Sequence, residues 1–243
     1  MRIRFLGSGD AFGSGGRLQT CILMESSDFA CLIDCGASSL IALKRAGVDP
    51  NDIGAILITH LHGDHFGGIP FLILDGQFSR RSRGLLVAGP PGLTDRVIQA
   101  MEVFFPGSSH AKRKFEVTFL ELTVGTAIAV GPLQVTPYEV VHACGAPPYA
   151  LRVELDGRTV VYSGDTEWTD RLLEAAAGAD LFVCEAYFFD KRVRFHLDYQ
   201  TLATHRARLT CRRLVLTHMS SDMLSRAPAA EVEVAYDGML VRL

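Results

Sequence analysis

Short apolar runs with a period near two open the chain. Arg2–Leu6 alternates arginine with apolar residues before Gly7, and Thr20–Met24 and Phe29–Asp34 continue in that style, so three strands are predicted. Ser38–Ala46 switches to helical spacing, with Ser38 or Ser39 placed as its cap. Ala55–Thr59 is short, apolar and β-prone, which predicts a buried strand; a polar loop separates it from the apolar stretch Phe66–Leu74. Leu85–Ala88 is a further strand. Gly89-Pro90-Pro91-Gly92 then turns the chain into Thr94–Phe105, where Val97, Ile98, Met101, Phe104 and Phe105 recur at helical spacing until Pro106-Gly107 stops them. From Phe115 to Gly164 the pattern is strand-rich, with Asp156-Gly157 as a hairpin turn. Strand and helix alternate afterwards: helical Arg171–Ala177 and Tyr199–Arg208, strands Leu181–Cys184 and Leu214–Thr217, a last helical turn, then strands Val232–Tyr236 and Met239–Arg242. Each half reads as sheet plus helices, with no linker between them. The expectation is a single α/β (α+β) domain over 1–243, two sheets face to face with helices outside.

Composition narrows the class. Of 243 residues 48% are hydrophobic and 21% charged, enough apolar material for a large core, and 23 scattered glycines suit many tight turns. A net charge of −3 gives no global pull toward nucleic acid. Two small basic clusters, Arg80, Arg81, Arg83 and Lys112, Arg113, Lys114, read as solvated loops rather than a phosphate track. The first residues read as a strand entering a turn, not as a signal peptide, and no apolar run approaches the length of a membrane span. Six cysteines lie mostly in apolar runs without a CxxC pair, so free thiols and a cytoplasmic location are expected. Phe66–Leu74 and Phe104–Phe105 suit either the core or a homodimer interface.

The chemistry concentrates after the strand Ala55–Thr59. His60, His62, Asp64 and His65 form an HxHxDH pattern that takes three of the eight histidines into six residues. Imidazole with carboxylate suits zinc first, with manganese or iron as alternatives. On an extended loop His60 and His62 point the same way and suit one metal, while Asp64 and His65 face a second. The bland alternative is a solvated histidine-rich loop. His142 closes the strand Val135–Val141, Asp165 closes Val160–Ser163 through Gly164 and His218 closes Leu214–Thr217, as the rim of a shared site would require, although any one of them alone fits a structural role equally well.

These motifs resemble those of the metallo-β-lactamase superfamily. His60–His65, the lone His142, Ser163-Gly164-Asp165-Thr166 and Leu216-Thr217-His218 stand in that family's order, and Leu6–Asp10 and Leu32–Gly36 add to the likeness. The resemblance implies the four-layer αβ/βα sandwich. It also implies one metal on His60, His62 and His142, another on Asp64, His65 and His218, and Asp165 bridging. Two divalent ions would activate a water for hydrolysis, with Asp64 also orienting it, and no organic cofactor is expected. Glu185 and His196 resemble a pair that assists the leaving group in ribonuclease Z and its phosphodiesterase relatives; the alternative for His196 is a surface loop histidine. The departures matter. Only 22 residues separate His142 from Asp165, so the arm with which ribonuclease Z grips transfer RNA is absent, and Asp222 stands where an arginine is common. The expectation is therefore a metal-dependent phosphodiesterase acting on small or cyclic phosphodiesters, with nucleic acid as the less favoured substrate and no membrane partner. A carbon-ester hydrolase (lactonase, thioesterase or arylsulfatase-like) is the second reading, and a non-catalytic ligand-binding member of the fold the third.

Overall fold

The computed structural model describes residues 1–243. Its chain first builds β1 (Arg2–Gly7), β2 (Cys21–Glu25) and β3 (Ala30–Ile33), then α1 (Ser39–Arg45) and β4 (Ile53–Leu57). Next come α2 (Gly63–Phe66), α3 (Ile69–Phe78), β5 (Leu85–Gly89), α4 (Leu93–Phe104) and β6 (Val117–Glu121). The second half runs β7 (Ile128–Val130), β8 (Leu133–Glu139), β9 (Tyr149–Leu155), β10 (Arg158–Tyr162), α5 (Arg171–Ala176), β11 (Leu181–Glu185), α6 (Tyr199–His205), β12 (Leu214–Thr217), α7 (Ser221–Arg226) and β13 (Glu233–Val234). A final strand, β14 (Leu240–Arg242), returns to pair with β1. The two seven-stranded sheets have the orders β14-β1-β2-β3-β4-β5-β6 and β13-β12-β11-β10-β9-β8-β7. Each is an antiparallel meander on one side and parallel on the other.

Period-two strands have two faces to bury, and both are covered. Ile3, Phe5, Ile33 and Leu57 meet Val135, Leu151, Val160 and Tyr162 between the sheets. On the outer face of the first sheet, Leu43, Ile69, Leu72, Val97 and Met101 of the helices cover Leu32, Ile56 and Val87. Leu172, Ala175, Leu202 and Met223 do the same over Phe182, Cys184 and Leu216. This is the four-layer αβ/βα sandwich of the metallo-β-lactamase fold. The parallel strands β4, β10, β11 and β12 all end toward one edge, and the loops that leave them carry the polar residues singled out above. Carboxyl ends of parallel strands are the usual ligand edge of such sheets, because the chain must leave the ladder there before crossing back.

Several boundaries differ from the sequence pattern. The apolar stretch Phe66–Leu74 is divided between α2 and α3 at Gly67-Gly68. A Cβ on Gly68 would lie 2.3 Å from the Gly36 carbonyl oxygen, so this close approach needs glycine. Phe66, Ile69, Leu72 and Ile73 from that stretch belong to the core, whereas Phe104 is partly exposed and packs near Phe71. The helix predicted to Arg208 ends at His205, and its last turn is a 3₁₀ turn, Arg206–Arg208. Val232–Tyr236 is reduced to the two residues of β13. All six cysteines are free and buried.

Arg81 corrects the reading of its cluster as a solvated loop. It is 2% exposed, and its guanidinium donates to the carbonyls of Arg83 (2.8 Å), Pro50 (3.0 Å), Ile53 (2.6 Å) and Gly84 (2.9 Å). It ties the turn before β5 to the start of β4. Arg81→Ala strands four carbonyls, and a loss of about 3 kcal/mol in urea unfolding is expected; a loss below about 1 kcal/mol would show that water replaces the guanidinium freely.

Candidate active site

The site is built from the loop after β4 outward. His60 and His62 flank Leu61 in the bend after β4, and His62, itself extended, is the residue from which α2 starts, so Asp64 and His65 turn inward on its single turn. A two-residue turn, Ser163-Gly164, carries β10 into Asp165. Gly164 has φ +59°, and a Cβ there would lie 2.6 Å from the Tyr149 carbonyl oxygen, so no side chain fits at this step. His218 follows β12 directly at φ 55°, with its N–H donating to the Ser8 carbonyl at 3.2 Å. His142 lies three residues past the end of β8, not at a strand end as the alternating pattern suggested. The Val140 N–H still makes the next in-register bond, to the Pro148 carbonyl, but Pro148 has no N–H to return, and the Val141 N–H leaves the ladder for the Thr166 hydroxyl.

All seven candidate ligands converge. Ligand atoms of His60, His62 and His142 lie within 4.8 Å of one another, and so do those of Asp64, His65, Asp165 and His218. Asp165 sits between the groups. One carboxylate oxygen is 3.8 Å from His60 Nε2, 4.0 Å from His142 Nε2 and 3.5 Å from His218 Nε2, and the other is 3.4 Å from His65 Nε2. His142 Nε2 and His62 Nδ1 face each other at 3.1 Å.

Hydrogen bonds behind the histidines set which nitrogen looks inward. His65 Nδ1 donates to Asp34 at 2.6 Å. The Thr59 hydroxyl donates to Asp34 at 2.8 Å and so accepts from His60 Nδ1 at 3.0 Å. His142 Nδ1 donates to the Phe195 carbonyl at 2.7 Å. The Nε2 lone pairs of all three are thereby turned toward the cluster. Asp34 and Phe195 hold left-handed backbone, at φ 58° and 71°. Strain of this kind persists where surrounding contacts over-determine it.

The donor set fits divalent metal ions. Three of its buried polar atoms, His60 Nε2, His65 Nε2 and Asp165 Oδ1, have no hydrogen-bond partner in the protein. Each such atom costs about 1–3 kcal/mol if nothing satisfies it, and these are imidazole and carboxylate atoms in one cluster. The electrostatics agree. Burial raises the proton affinity of the Asp165 carboxyl, but His218 and His65 outweigh it and hold Asp165 ionised, well below the usual range. Burial opposes a charge on His218, yet Asp165 and the hydrogen bond with Asp64 push its pKa up to about 9. Clustered carboxylates that stay ionised in a buried place call for compensating positive charge. Since Asp34 aims His65, Asp34→Asn is expected to weaken metal affinity roughly 10- to 100-fold in a zinc-chelator competition; unchanged affinity would show that His65 needs no brace.

Glu185 and His196 are also brought together. Glu185 ends β11, is fully buried, and accepts from His196 Nδ1 at 3.0 Å and from the Thr166 N–H. Burial disfavours the imidazolium, but the Glu185 hydrogen bond and charge outweigh it and raise the His196 pKa above its ordinary value. His196 Nδ1 is 3.9 Å from Asp165, and its ring is stacked 4.7 Å from Tyr187. Asp222, in the position noted for lacking arginine, accepts from the Phe189 N–H.

Sequence reasoning missed other contributors. Lys191, Arg192 and Arg194 stand exposed on the loop entering His196, and none pairs with a carboxylate; Lys191 lies over Phe188 and Arg194 over Phe195. The run Lys191–Arg194 was visible as charge next to a candidate histidine. Glu167 accepts from the Phe195 N–H at 2.8 Å and so steadies the carbonyl behind His142. No local signal in the sequence gives that contact.

A family described as anti-Pycsar protein Apyc1 matches residues 1–235. The chain belongs to that family. Among curated relatives, this Apyc1-family chain is 30% identical over 301 aligned positions to ribonuclease Z of Bradyrhizobium diazoefficiens, covering 98% of this chain and 99% of the relative. It is 26% identical over 273 positions to ribonuclease Z of Methanosarcina acetivorans, covering 91% and 88%. The 301 aligned positions exceed the 243 residues present, so the Bradyrhizobium protein carries insertions that this chain lacks. The crystal structure of human tRNase Z, short form, superposes with a TM-score of 0.81 at 26% identity over 100% of this chain and 99% of that one. A diphosphatase of the PhnP family, at 18% identity and a TM-score of 0.79, shares the fold over 100% of this chain and 97% of its own. The Apyc1-family chain is thus a ribonuclease Z-like, metal-dependent hydrolase of the metallo-β-lactamase fold. No helix is long and apolar enough to cross a membrane.

Proposed function

We propose that the protein is a phosphodiesterase with two divalent metal ions, zinc first, acting on small or cyclic phosphodiesters. His60, His62 and His142 would hold one ion, Asp64, His65 and His218 the other, with Asp165 between. Bound there, the ions supply Lewis acidity and lower the pKa of water enough to give a nucleophile near neutral pH. Asp64 would orient that water by a hydrogen bond. His196, held as imidazolium by Glu185, donates its proton to the departing alkoxide. The unpaired Lys191, Arg192 and Arg194 attract a phosphate anion to the same edge.

One observation carries the reading: the 3.0 Å Glu185–His196 pair at the border of the metal cluster. A carbon-ester hydrolase would suit an apolar pocket without cations beside His196, and Arg192 lines the cavity next to His196. Transfer-RNA processing is disfavoured because β9 and β10, joined by a tight turn at Asp156-Gly157, fill the space between His142 and Asp165. The test is elemental analysis followed by assays on bis(p-nitrophenyl) phosphate, cyclic nucleotides, precursor transfer RNA, and lactone, thioester and aryl sulfate panels. About two ions per chain with turnover of small phosphodiesters is expected. Turnover of carbon or sulfate esters alone would overturn the substrate class, and preference for the transfer RNA would overturn its size.

A further inference from the structure

Two basic clusters that are separate in sequence meet in the fold. A cavity of about 160 Å3 opens at the end of α3, lined there by Gln77 and Arg80. Its other wall is the segment entering β6, with Lys112, Arg113 and Lys114. Either cluster alone is an ordinary solvated loop, but together they gather four cations around one small space. None of the four pairs with a carboxylate. Asp75, one turn back along α3, is taken by Lys44 at 2.5 Å, and Glu116 is exposed and does not line the cavity. Arg113 makes a single long contact, to the Ser108 carbonyl at 3.5 Å. This concentration of positive charge stands out in a chain whose net charge is −3.

The walls are fixed rather than loose. Phe115 is 7% exposed, and the Arg81 guanidinium, held by its four carbonyls, lies over the Phe115 ring at 5.4 Å. A Cβ on Gly76 would come within 3.0 Å of Phe115 and 3.2 Å of Arg81, so the helix meets both closely. Gln77 adds an independent sign of a ligand: its Nε2 is buried and has no hydrogen-bond partner. Arg80 holds left-handed backbone at φ 61°, just past the helix end, where glycine is favoured. The negative end of α3 would account for one cation there, but not for three more from another segment. Guanidinium, ammonium and amide N–H groups are all donors, so the missing partner is an acceptor carrying negative charge. A carboxylate has too few oxygens for so many donors. A drug-sized ligand would need a pocket of about 300 Å3 or more, whereas phosphate groups combine small size with many acceptor oxygens.

We propose that this cavity is a second anion site, in which Arg80, Lys112, Arg113, Lys114 and Gln77 bind a diphosphate group, free or at the end of a small molecule. It is remote from the metal cluster. Asp64 and His65 sit on α2, which joins the opposite end of α3, roughly 15 Å away along the helix axis. A diphosphate there ties the end of α3 to the segment entering β6 and touches none of the reacting atoms. Its binding does not depend on which ester the metals hydrolyse.

The metal-loaded protein is titrated with inorganic pyrophosphate by calorimetry at constant ionic strength, with metal content measured before and after. Pyrophosphate also ligates metal ions, so two variants identify the cavity's share of the binding. Arg80→Gly removes a charge and suits the left-handed backbone, so it should fold as the parent does. The double variant Lys112→Ala, Lys114→Ala changes two exposed side chains. Each is expected to weaken one class of binding about tenfold or more, with metal content and the remaining class unchanged. Arg242→Ala serves as the charge control, since Arg242 is exposed on β14 at the opposite edge of the sheet from β6; it should weaken neither class. Methyl diphosphate distinguishes the two sources. Binding as tight as pyrophosphate's supports the site and assigns it the end of a larger molecule, and binding at least tenfold weaker supports it as a site for the free anion. Pyrophosphate binding that is unchanged in both variants would overturn the site. Equal weakening by Arg242→Ala and Arg80→Gly would overturn it as well, because net charge alone would then govern the affinity.

Discussion

Replacing Asp165 with alanine is expected to empty the site of metal and to lower phosphodiester turnover by about three to four orders of magnitude. No other side chain touches as many members of the cluster. Its carboxylate lies within 4.0 Å of His60, His65, His142, His196 and His218, and it is 2% exposed. Removing it takes away the charge that keeps His65 and His218 protonated when no cation is present, and the oxygen that joins the two ligand groups. Asp165→Asn separates these effects from packing, since it keeps the shape and drops the charge. The Asn variant is expected to fold as the parent does by circular dichroism, yet to hold less than one ion per chain. An Asn variant with parental metal content and turnover would show that Asp165 bridges nothing. Loss of one ion only, with turnover falling less than about tenfold, would place it as a ligand to a single metal.

Local motifs were legible because their chemistry is local. His60, His62, Asp64 and His65 fall within six residues, so a candidate metal site is visible in the sequence alone. His142, Asp165 and His218 were visible as polar residues closing apolar runs, since β-strands bury both faces here and a charged residue marks where the ladder ends. Asp34 closes an apolar strand in the same manner, yet it received no role, because its partner His65 is 31 positions away and only the parallel pairing of β3 with β4 brings them together. The Phe195 carbonyl that aims His142 is backbone and leaves no compositional trace. The apolar pattern runs on through Val140 and Val141, but the β8 ladder fails there because Pro148 has no N–H to return to Val140 and the Val141 N–H goes to Thr166. Arg81 departs from the solvated pattern for a related reason: a run of arginines looks solvated unless the carbonyls folding around one of them are known.

His196→Ala separates leaving-group assistance from metal chemistry, and its expected effect depends on the substrate. His196 is absent from the proposed ligand set, and Glu185 and Asp165 face it from the cluster side. The variant should therefore keep its metals. For a phosphodiester that expels a ribose alkoxide, kcat should fall roughly 10²- to 10³-fold, because the alkoxide must leave without a proton. For bis(p-nitrophenyl) phosphate the departing phenolate is stable at neutral pH, and the loss should stay under about tenfold. Glu185→Gln should show the same dependence with smaller losses, since it lowers the imidazolium share of His196 without removing the ring. If His196→Ala slows both substrates equally, the imidazole acts in binding and not as a proton donor. If neither slows, the Glu185–His196 pair is a structural hydrogen bond and the choice of phosphodiesters loses its main support. The split between good and poor leaving groups is the signature that a packing role cannot produce, because cavity formation would tax every substrate alike.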